Sequence, residues 1–434
     1  MAKRRYAVCG VSARAINMWI KPMYETFSGV AELVGILDVD PRRFEICRKA
    51  FPQAKDVPTY KPDEFDKMIE ETKPDCVFVV CQDRYHADYI LEALGKDLDV
   101  VTEKPMTTNA EDALRVCVAE KRSKGKVVCT FNYRYNPQHS LLREMVLAGK
   151  VGRVTHVDLN WYIDIKHGSS YFNRWNRLRE NSGSLSIHKA SHHFDLVTWW
   201  IGSPNPQLVH AFGALNHYGP NGPFNPSKKD GRHCGTCAER RKCAYKARWE
   251  TRASSIQVHD DHLDAFNERL GILYTPSIYQ PDMCIFDSEI DIHDTIVANV
   301  KYANGVLLNY SANFSTPYEG YRLAINGTHG RLEAEEWEGA GSTAFSCPRK
   351  DDRYIDYYPI FGSRERIAVK PGVGGHGGGD SLIQEDVFLG EDPDRKYDIL
   401  AKSIDGLRAI AIGDAVYKSI VSGQIQDLTE VMKH

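Results

Sequence analysis

Two short stretches of this 434-residue chain carry residue types suited to exchanging a proton with a substrate hydroxyl. The first is Glu103-Lys104-Pro105, directly after the apolar run Asp99–Thr102. A lysine there can hydrogen-bond a reacting hydroxyl and, with a depressed pKa, take its proton. The second covers residues 186–201, SIHKASHHFDLVTWWI. On a helix, His188, His192 and Asp195 fall at i, i+4 and i+7 on one face, with Lys189 and His193 on the adjacent stripe. Ionisable groups on an otherwise apolar helix are costly unless paired or used. Imidazole, with a pKa of about 6.5, suits reversible proton transfer. Three uses stay open on spacing alone: proton transfer, a metal site, since H-x-x-x-H can bind zinc, and histidines satisfied within a core.

These stretches need a frame that brings them together. Early in the chain, short apolar runs at 6–11, 33–38, 75–81 (DCVFVVC), Asp99–Thr102 and 127–131 alternate with helical stretches at 13–27, from Pro41, at 85–94 and at 110–124. Such alternation implies parallel β–α–β units in a doubly wound sheet buried on both faces. After Asn136 the strands lengthen and alternate in polarity, as at 155–164. Asn304-Gly305 reads as a hairpin between Thr295–Tyr302 and 306–314, and Asn326-Gly327 reads as another turn. The expected fold class is α/β. A parallel, dinucleotide-type domain over residues 1–136 precedes an α+β domain over residues 137–434 with a large, mostly antiparallel open sheet. A cysteine-bearing insertion near 216–260 interrupts that sheet, and a helix at 398–422 closes the chain and packs back on the first domain.

Gly10-Val11-Ser12-Ala13-Arg14-Ala15 joins the first strand to the first helix as G-x-S-x-x-A, a variant of the dinucleotide fingerprint. Gly10 permits the tight turn and Ala15 allows close helix–strand packing, while Ser12 replaces the glycine that admits the pyrophosphate. The helix N-terminus, with Ala13 and Arg14, would face the phosphates. Asp38 ends the second strand, where a carboxylate accepts ribose hydroxyls and repels a 2′-phosphate, favouring NAD.

In this order, the fingerprint, Asp38, Glu103-Lys104-Pro105 and His192-His193-Phe194-Asp195-Leu196 resemble the Gfo/Idh/MocA oxidoreductases. The resemblance spans nearly the whole chain. It extends to Phe131-Asn132-Tyr133-Arg134 with Pro137, the 149–152 turn and Ser403-Ile404-Asp405-Gly406. It implies an N-terminal Rossmann domain, a catalytic lysine at Lys104 and a catalytic histidine at His192. It also implies Glu103 beside the cofactor, Cys81, Asp83 and His86 at its nicotinamide end, Tyr133 at the substrate, and homo-oligomers formed through the C-terminal sheet. Inositol-dehydrogenase-like members carry an aspartate four residues before the histidine. Here that position is His188, and Lys189 beside it is a candidate to supply what the aspartate does not.

The family handles sugars, inositols and glycosides, so the implied partner is a small carbohydrate. Tyr162, His167, Tyr171, Arg174, Trp175 and Arg177 precede the histidine helix and suit one, aromatic faces stacking on the ring and arginines reaching hydroxyls. The same residues could simply pack. His193 and, from the glycine-rich stretch 374–380, His376 are further substrate candidates, with Asp380 expected as the N-cap of the next helix.

Cys234-x2-Cys237-x5-Cys243, with Cys284 further on, has the spacing of a structural four-thiolate zinc site that would pin the long insertion. An iron–sulfur cluster uses the same ligands. With 11 cysteines in a chain this large, thiols or metal ligands are expected rather than a disulfide framework. The net charge of −3, from 55 basic and 58 acidic residues, gives no global reason to bind nucleic acid or an anionic membrane. No apolar run reaches the ~18 residues of a membrane span. The basic start, Lys3-Arg4-Arg5, precedes too short an apolar run for a secretory signal, so a cytoplasmic location is expected.

The expected function is NAD-dependent oxidation of a secondary alcohol on a sugar or glycoside, with the resemblance pointing to the 3-hydroxyl of a pyranoside. Two other functions fit the same residues. One is an NAD-retaining glycosidase or lyase working through a transient 3-keto sugar. The other is a non-catalytic NAD-sensing partner protein.

Overall fold

The computed structural model describes residues 2–234, 237–245, 283–338, 353–370, 372, 375–395 and 397–433. Six short strands, β1 (Arg4–Cys9), β2 (Ala31–Leu37), β3 (Thr59–Tyr60), β4 (Cys76–Val79), β5 (Asp99–Thr102) and β6 (Val127–Cys129), form a sheet of order β3-β2-β1-β4-β5-β6. Every pairing in it is parallel. The strand order reverses between β1 and β4, and in such sheets ligands bind in the crevice beyond the strands' C-terminal ends at that point. The core strand β4, Cys-Val-Phe-Val, is buried throughout, as helices on both faces demand.

The second sheet has nine strands: β7 (Val154–Asp164), β8 (Pro206–Ala214), β9 (Thr295–Tyr302), β10 (Leu307–Thr316), β11 (Glu319–Gly327), β12 (Gly330–Glu338), β13 (Tyr354–Pro359), β14 (Glu365–Ala368) and β15 (Gln426–Asp427). Their order is β14-β13-β12-β11-β7-β10-β9-β8-β15, antiparallel except for the central β7–β10 pair. Parallel neighbours need a crossover. The one between β7 and β10 carries the helix Ala190–Trp200, which lies on the sheet's inner face with His193 stacked on Trp161 at 3.9 Å and Phe194 against Tyr310.

The Asn304-Gly305 hairpin forms as expected, with Gly305 at φ +84° between β9 and β10. Asn326-Gly327 differs: both residues end β11, Asn326 pairs with Arg331, and the turn falls at Thr328-His329. The final helix starts at Ser403, and Lys402 just before it bridges Val128 at the edge of the parallel sheet. That helix, Ser403–Ser422, packs on the helix Ala110–Arg122, where Asp414 Oδ2 accepts a hydrogen bond from Ala110 N–H at 3.2 Å.

The cysteine insertion is the main correction. Residues 235–236 and 246–282 lie outside the described residues. Among those described, no group of three or more His, Cys, Asp or Glu side chains is placed to hold a metal, so Cys234, Cys237, Cys243 and Cys284 do not form the expected zinc site. Hydrogen bonds pin the stretch instead. Asp294 accepts the backbone N–H groups of Asn216, His217 and Tyr218, and Arg232 donates to Asn225 and to the Ser227 carbonyl. Cys284 is packed in the interior, its N–H bonded to the Arg232 carbonyl at 2.8 Å. No helix among the described residues is long and apolar enough to cross a membrane.

Candidate active site

Cys9, Val79 and Thr102 end β1, β4 and β5 side by side, so the turns after them open at one edge. Gly10 sits at φ +93°, and a Cβ there would lie 2.6 Å from the backbone of Cys81. Glycine alone tolerates that dihedral and that approach. Val11 N–H donates to Asp38 Oδ2 at 2.6 Å, and Asp40 N–H donates to Asp38 Oδ1 at 2.9 Å. Asp38 is thereby fixed at the end of β2. Burial raises its carboxyl pKa, opposed by Arg43 and those two N–H groups. Ser12 has a structural use of its own: its hydroxyl donates to the Val80 carbonyl and accepts from Ala15 N–H at 3.1 Å. The tight turn at Gly10 leading into the helix, with the Ser12 hydroxyl turned onto the backbone and a carboxylate at the end of the next strand, fits the diphosphate and ribose of NAD.

Arg14 and Glu103 brace this edge. Arg14 Nε and Trp19 Nε1 both donate to Glu103 Oε1, at 2.8 and 3.1 Å. Burial works against the Glu103 charge, but Arg14 and the hydrogen bonds outweigh it and hold the carboxyl below its ordinary pKa. Arg14 also reaches Asp380 at 3.5 Å, and Asn132 Nδ2 donates to the same oxygen at 2.6 Å. Asp380 is therefore a bridge to the first domain. It is the second residue of the helix Gly379–Leu389, and Gly378 occupies the N-cap expected for it.

Beside this edge lies a cavity of about 340 Å³. Lys104 and His192, the two residues singled out for proton transfer, both line it, together with Lys189, Tyr133 and Tyr171. Tyr133 stacks on His192 at 4.2 Å and accepts a hydrogen bond from Lys189 Nζ at 2.9 Å. Glu319, Glu336 and Arg353, which no sequence motif marks, and Gly377 of the glycine-rich stretch complete the wall with His167. His167 bonds Glu319 at 2.9 Å through Nδ1 and the Tyr171 hydroxyl at 2.7 Å through Nε2. Arg353 pairs with Glu336 at 2.7 Å, and Asn136 Nδ2 also donates to Glu336.

His188 and His192 do not share one unbroken helix. The segment Leu185–His188 ends, and Ala190–Trp200 begins, at Lys189 (φ −104°, ψ −46°). His192 N–H bonds the Lys189 carbonyl, which leaves the His188 carbonyl to accept Lys104 Nζ at 3.2 Å. The His188 ring turns the other way: Nδ1 hydrogen-bonds Asp83 Oδ2, and Nε2 accepts from Asn176 Nδ2 at 2.9 Å. Both bonds are satisfied by a neutral imidazole carrying its proton on Nδ1. Burial, followed by the nearby Lys104 and Arg174 charges, holds its pKa well below the ordinary histidine value.

Asp83 and Lys104 face each other across this junction. Burial pushes the Asp83 carboxyl up to about 7, opposed by His86, Lys104 and Arg174. Burial brings the Lys104 ammonium down to about 8, opposed by Asp83. Lys104 is thus a base available near neutral pH.

Other expected residues lie elsewhere. His193 is sealed in the core between Trp161 and the Tyr310 hydroxyl, at 2.8 Å from the latter, and does not line the cavity. Tyr162 points to the opposite face of β7 from Trp161, against Tyr318 and Trp337. Arg177 is buried on Asp287 at 2.9 Å, and Asp195 is buried on Arg134 in a two-pronged ion pair, so neither is open to a ligand. His86 lies beneath the site between the Pro105 and Cys81 carbonyls. Arg174 and Trp175 flank the junction, Trp175 edge-on to His188 at 5.6 Å. The side chain of His376 lies outside the described residues.

A parallel sheet with a glycine turn at its switch point, beside a cavity holding a lysine of lowered pKa and a histidine, defines a dinucleotide-dependent oxidoreductase. The chain belongs to the Gfo/Idh/MocA family: residues 4–131 match the oxidoreductase family's NAD-binding Rossmann fold, and residues 143–428 match its C-terminal alpha/beta domain. It is 53% identical over 413 residues, 95% of each chain, to YteT of Bacillus subtilis (strain 168), a protein named as an oxidoreductase. It is 32% identical over 175 residues, 39% of this chain and 45% of the relative, to an inositol 2-dehydrogenase of Rubrobacter xylanophilus. In fold it is similar to levoglucosan dehydrogenase solved with NADH and L-sorbose, with a TM-score of 0.66 at 15% identity, covering 98% of this chain and 99% of that one.

Proposed function

We propose that the protein oxidises a secondary alcohol of a sugar or glycoside, with Lys104 as the base that takes the hydroxyl proton. The observation that carries this reading is the convergence of Lys104 and His192 on one cavity beside the Gly10 edge. NAD, when bound, would supply the hydride acceptor, held by the Gly10–Ala13 turn and Asp38. The Lys104 amine is aimed by the His188 carbonyl and kept near neutrality by burial against Asp83. His192, stacked flat on Tyr133, presents its ring edge to the cavity and would hydrogen-bond the same hydroxyl. In this role His188 is a positioning residue rather than a proton carrier, since its ring is committed to Asp83 and Asn176.

The test is NADH formation over a panel of sugars, inositols and glycosides, with Lys104→Ala and His192→Ala as controls and products identified by mass spectrometry. A keto sugar formed in step with NADH supports the reading. Full activity in both variants overturns the assignment of the two residues. Cleaved glycoside without NADH would replace net oxidation by transient oxidation.

The reading extends to a cytoplasmic homo-oligomer assembled through the nine-stranded sheet. Phe212, Val297 and Leu307 lie exposed on adjacent strands, at 65%, 44% and 51%, and the register of β8, β9 and β10 puts them on one face. Phe212 and Val297 are direct cross-strand partners, with Leu307 further along the same face beyond Asn299 and Asn309, and exposed apolar side chains there support association.

A further inference from the structure

Two cations of the cavity wall, Lys189 and Arg353, keep hydrogen-bonding capacity that the wall carboxylates do not take up. Glu319 is bonded to His167 and Glu336 to Arg353 and Asn136. Lys189 is 4% exposed, and its ammonium meets only the Tyr133 hydroxyl and the faces of Tyr133 and Trp161, at 5.2 and 6.0 Å. No carboxylate pairs with it among the described residues. Arg353 uses Nη2 on Glu336, while its Nη1 is buried with no hydrogen-bond partner. Beside that nitrogen the wall is Gly377, whose added Cβ would stand 3.5 Å from Nη1 and 2.5 Å from Asn136 Nδ2, so any larger residue there would crowd both groups. A buried ammonium with no carboxylate at salt-bridge distance and a buried guanidinium nitrogen without an acceptor are each costly. Both are satisfied if the occupant brings an anionic oxygen.

Resting on the sugar-oxidation reading above, the geometry points to an acidic sugar as the substrate, a hexuronate-type ring whose carboxylate is received by Arg353 Nη1 while Lys104 faces the reacting hydroxyl. The volume, about 340 Å³, is at the small end for ligand cavities and suits a single ring. Lys189 supplies the balancing charge. A carboxylate accepts the planar guanidinium directly. A neutral hexose leaves both cations as they are.

The test compares D-glucuronate and D-galacturonate with D-glucose, D-galactose and their 6-phosphates, by NADH formation and by thermal stabilisation of the NADH-loaded enzyme. The hexuronates should exceed the neutral sugars at least about 10-fold in kcat/KM, the scale of one hydrogen bond to a charged group. Arg353→Gln should remove that preference by raising KM with kcat largely kept. Arg353→Gln/Glu336→Gln, which leaves no unpaired buried carboxylate, should behave alike if the fold is intact. Equal use of neutral sugars, preference for the phosphates, or an unchanged KM in Arg353→Gln overturns the inference while leaving the oxidation reading in place. If nothing is oxidised but hexuronates stabilise the wild type and not Arg353→Gln, the inference stands and the oxidation reading falls. Stabilisation of neither overturns the inference.

Discussion

The ring of His188 hydrogen-bonds the carboxylate of Asp83, 105 residues earlier in the chain, while the His188 main-chain oxygen accepts Lys104 Nζ. A carboxylate from the end of the parallel sheet therefore reaches the lysine's surroundings through His188. Asp83 and Lys104 sense each other's charge across this junction.

Removing the base is the plainest consequence. Lys104→Ala should lower kcat about 10²- to 10⁴-fold, the usual contribution of a positioned base. NADH binding, followed by fluorescence, should remain within a few-fold, because the Gly10 turn and Asp38 do not depend on Lys104. Loss of cofactor binding instead would reassign Lys104 to a structural role.

The pH profile follows from the same group. Lys104 must be uncharged to accept a proton, so kcat/KM for alcohol oxidation should fall as pH drops below about 8. Asp83 is the charge that holds this value up. Asp83→Asn should therefore move the acid limb to lower pH, and a limb shifted upward would contradict the influence of the Asp83 charge on Lys104.

His188→Ala keeps the main-chain oxygen that Lys104 uses but removes the hydrogen bond to Asp83. A smaller loss than that of Lys104→Ala is expected, with Lys104 still required. The cycle Asp83→Asn, His188→Ala and the double variant should give a coupling of about 1.5–3 kcal/mol in urea unfolding, typical of a hydrogen bond to a charged group.

Arg134 and Asp195 form a two-pronged pair in which both side chains are 2% exposed. Arg134→Met alone strands a buried carboxylate and should cost about 3–5 kcal/mol. Arg134→Met/Asp195→Leu should recover much of that. Neither change should move the pH limb set by Lys104, and an equal shift in the two would assign Asp195 to the chemistry after all.

Much of the frame is legible along the chain because its signals are local. Continuous apolar runs such as 75–81 announce buried parallel strands, and Gly10 announces a turn that no other residue can make. Lys104 and His192 stand out because charged groups beside or within apolar elements demand an explanation. What was not legible depends on pairings far apart in sequence. Glu319, Glu336 and Arg353 sit on or beside strands whose order, β13-β12-β11-β7, decides that they meet Lys104. His188 and Asp195 share a helix-like spacing with His192, yet the break at Lys189 and the partner Arg134 turn them to other uses. Cysteine spacing suggested a metal where Asp294 and Arg232 perform the anchoring with hydrogen bonds.

The lone parallel pair β7–β10 has a consequence for how the cavity is assembled. Because those two strands can be joined only by a long excursion, Tyr171, Lys189, His192 and the cysteine stretch all belong to one tract of the chain. Within that tract β8 and β9 are held by the ladder, so length and contents can vary only in the connections between β7, the helix and these two strands. The cavity wall is thus divided: this tract supplies Tyr171, Lys189 and His192, the chain beyond β10 supplies Glu319, Glu336 and Arg353, and the other sheet supplies Lys104.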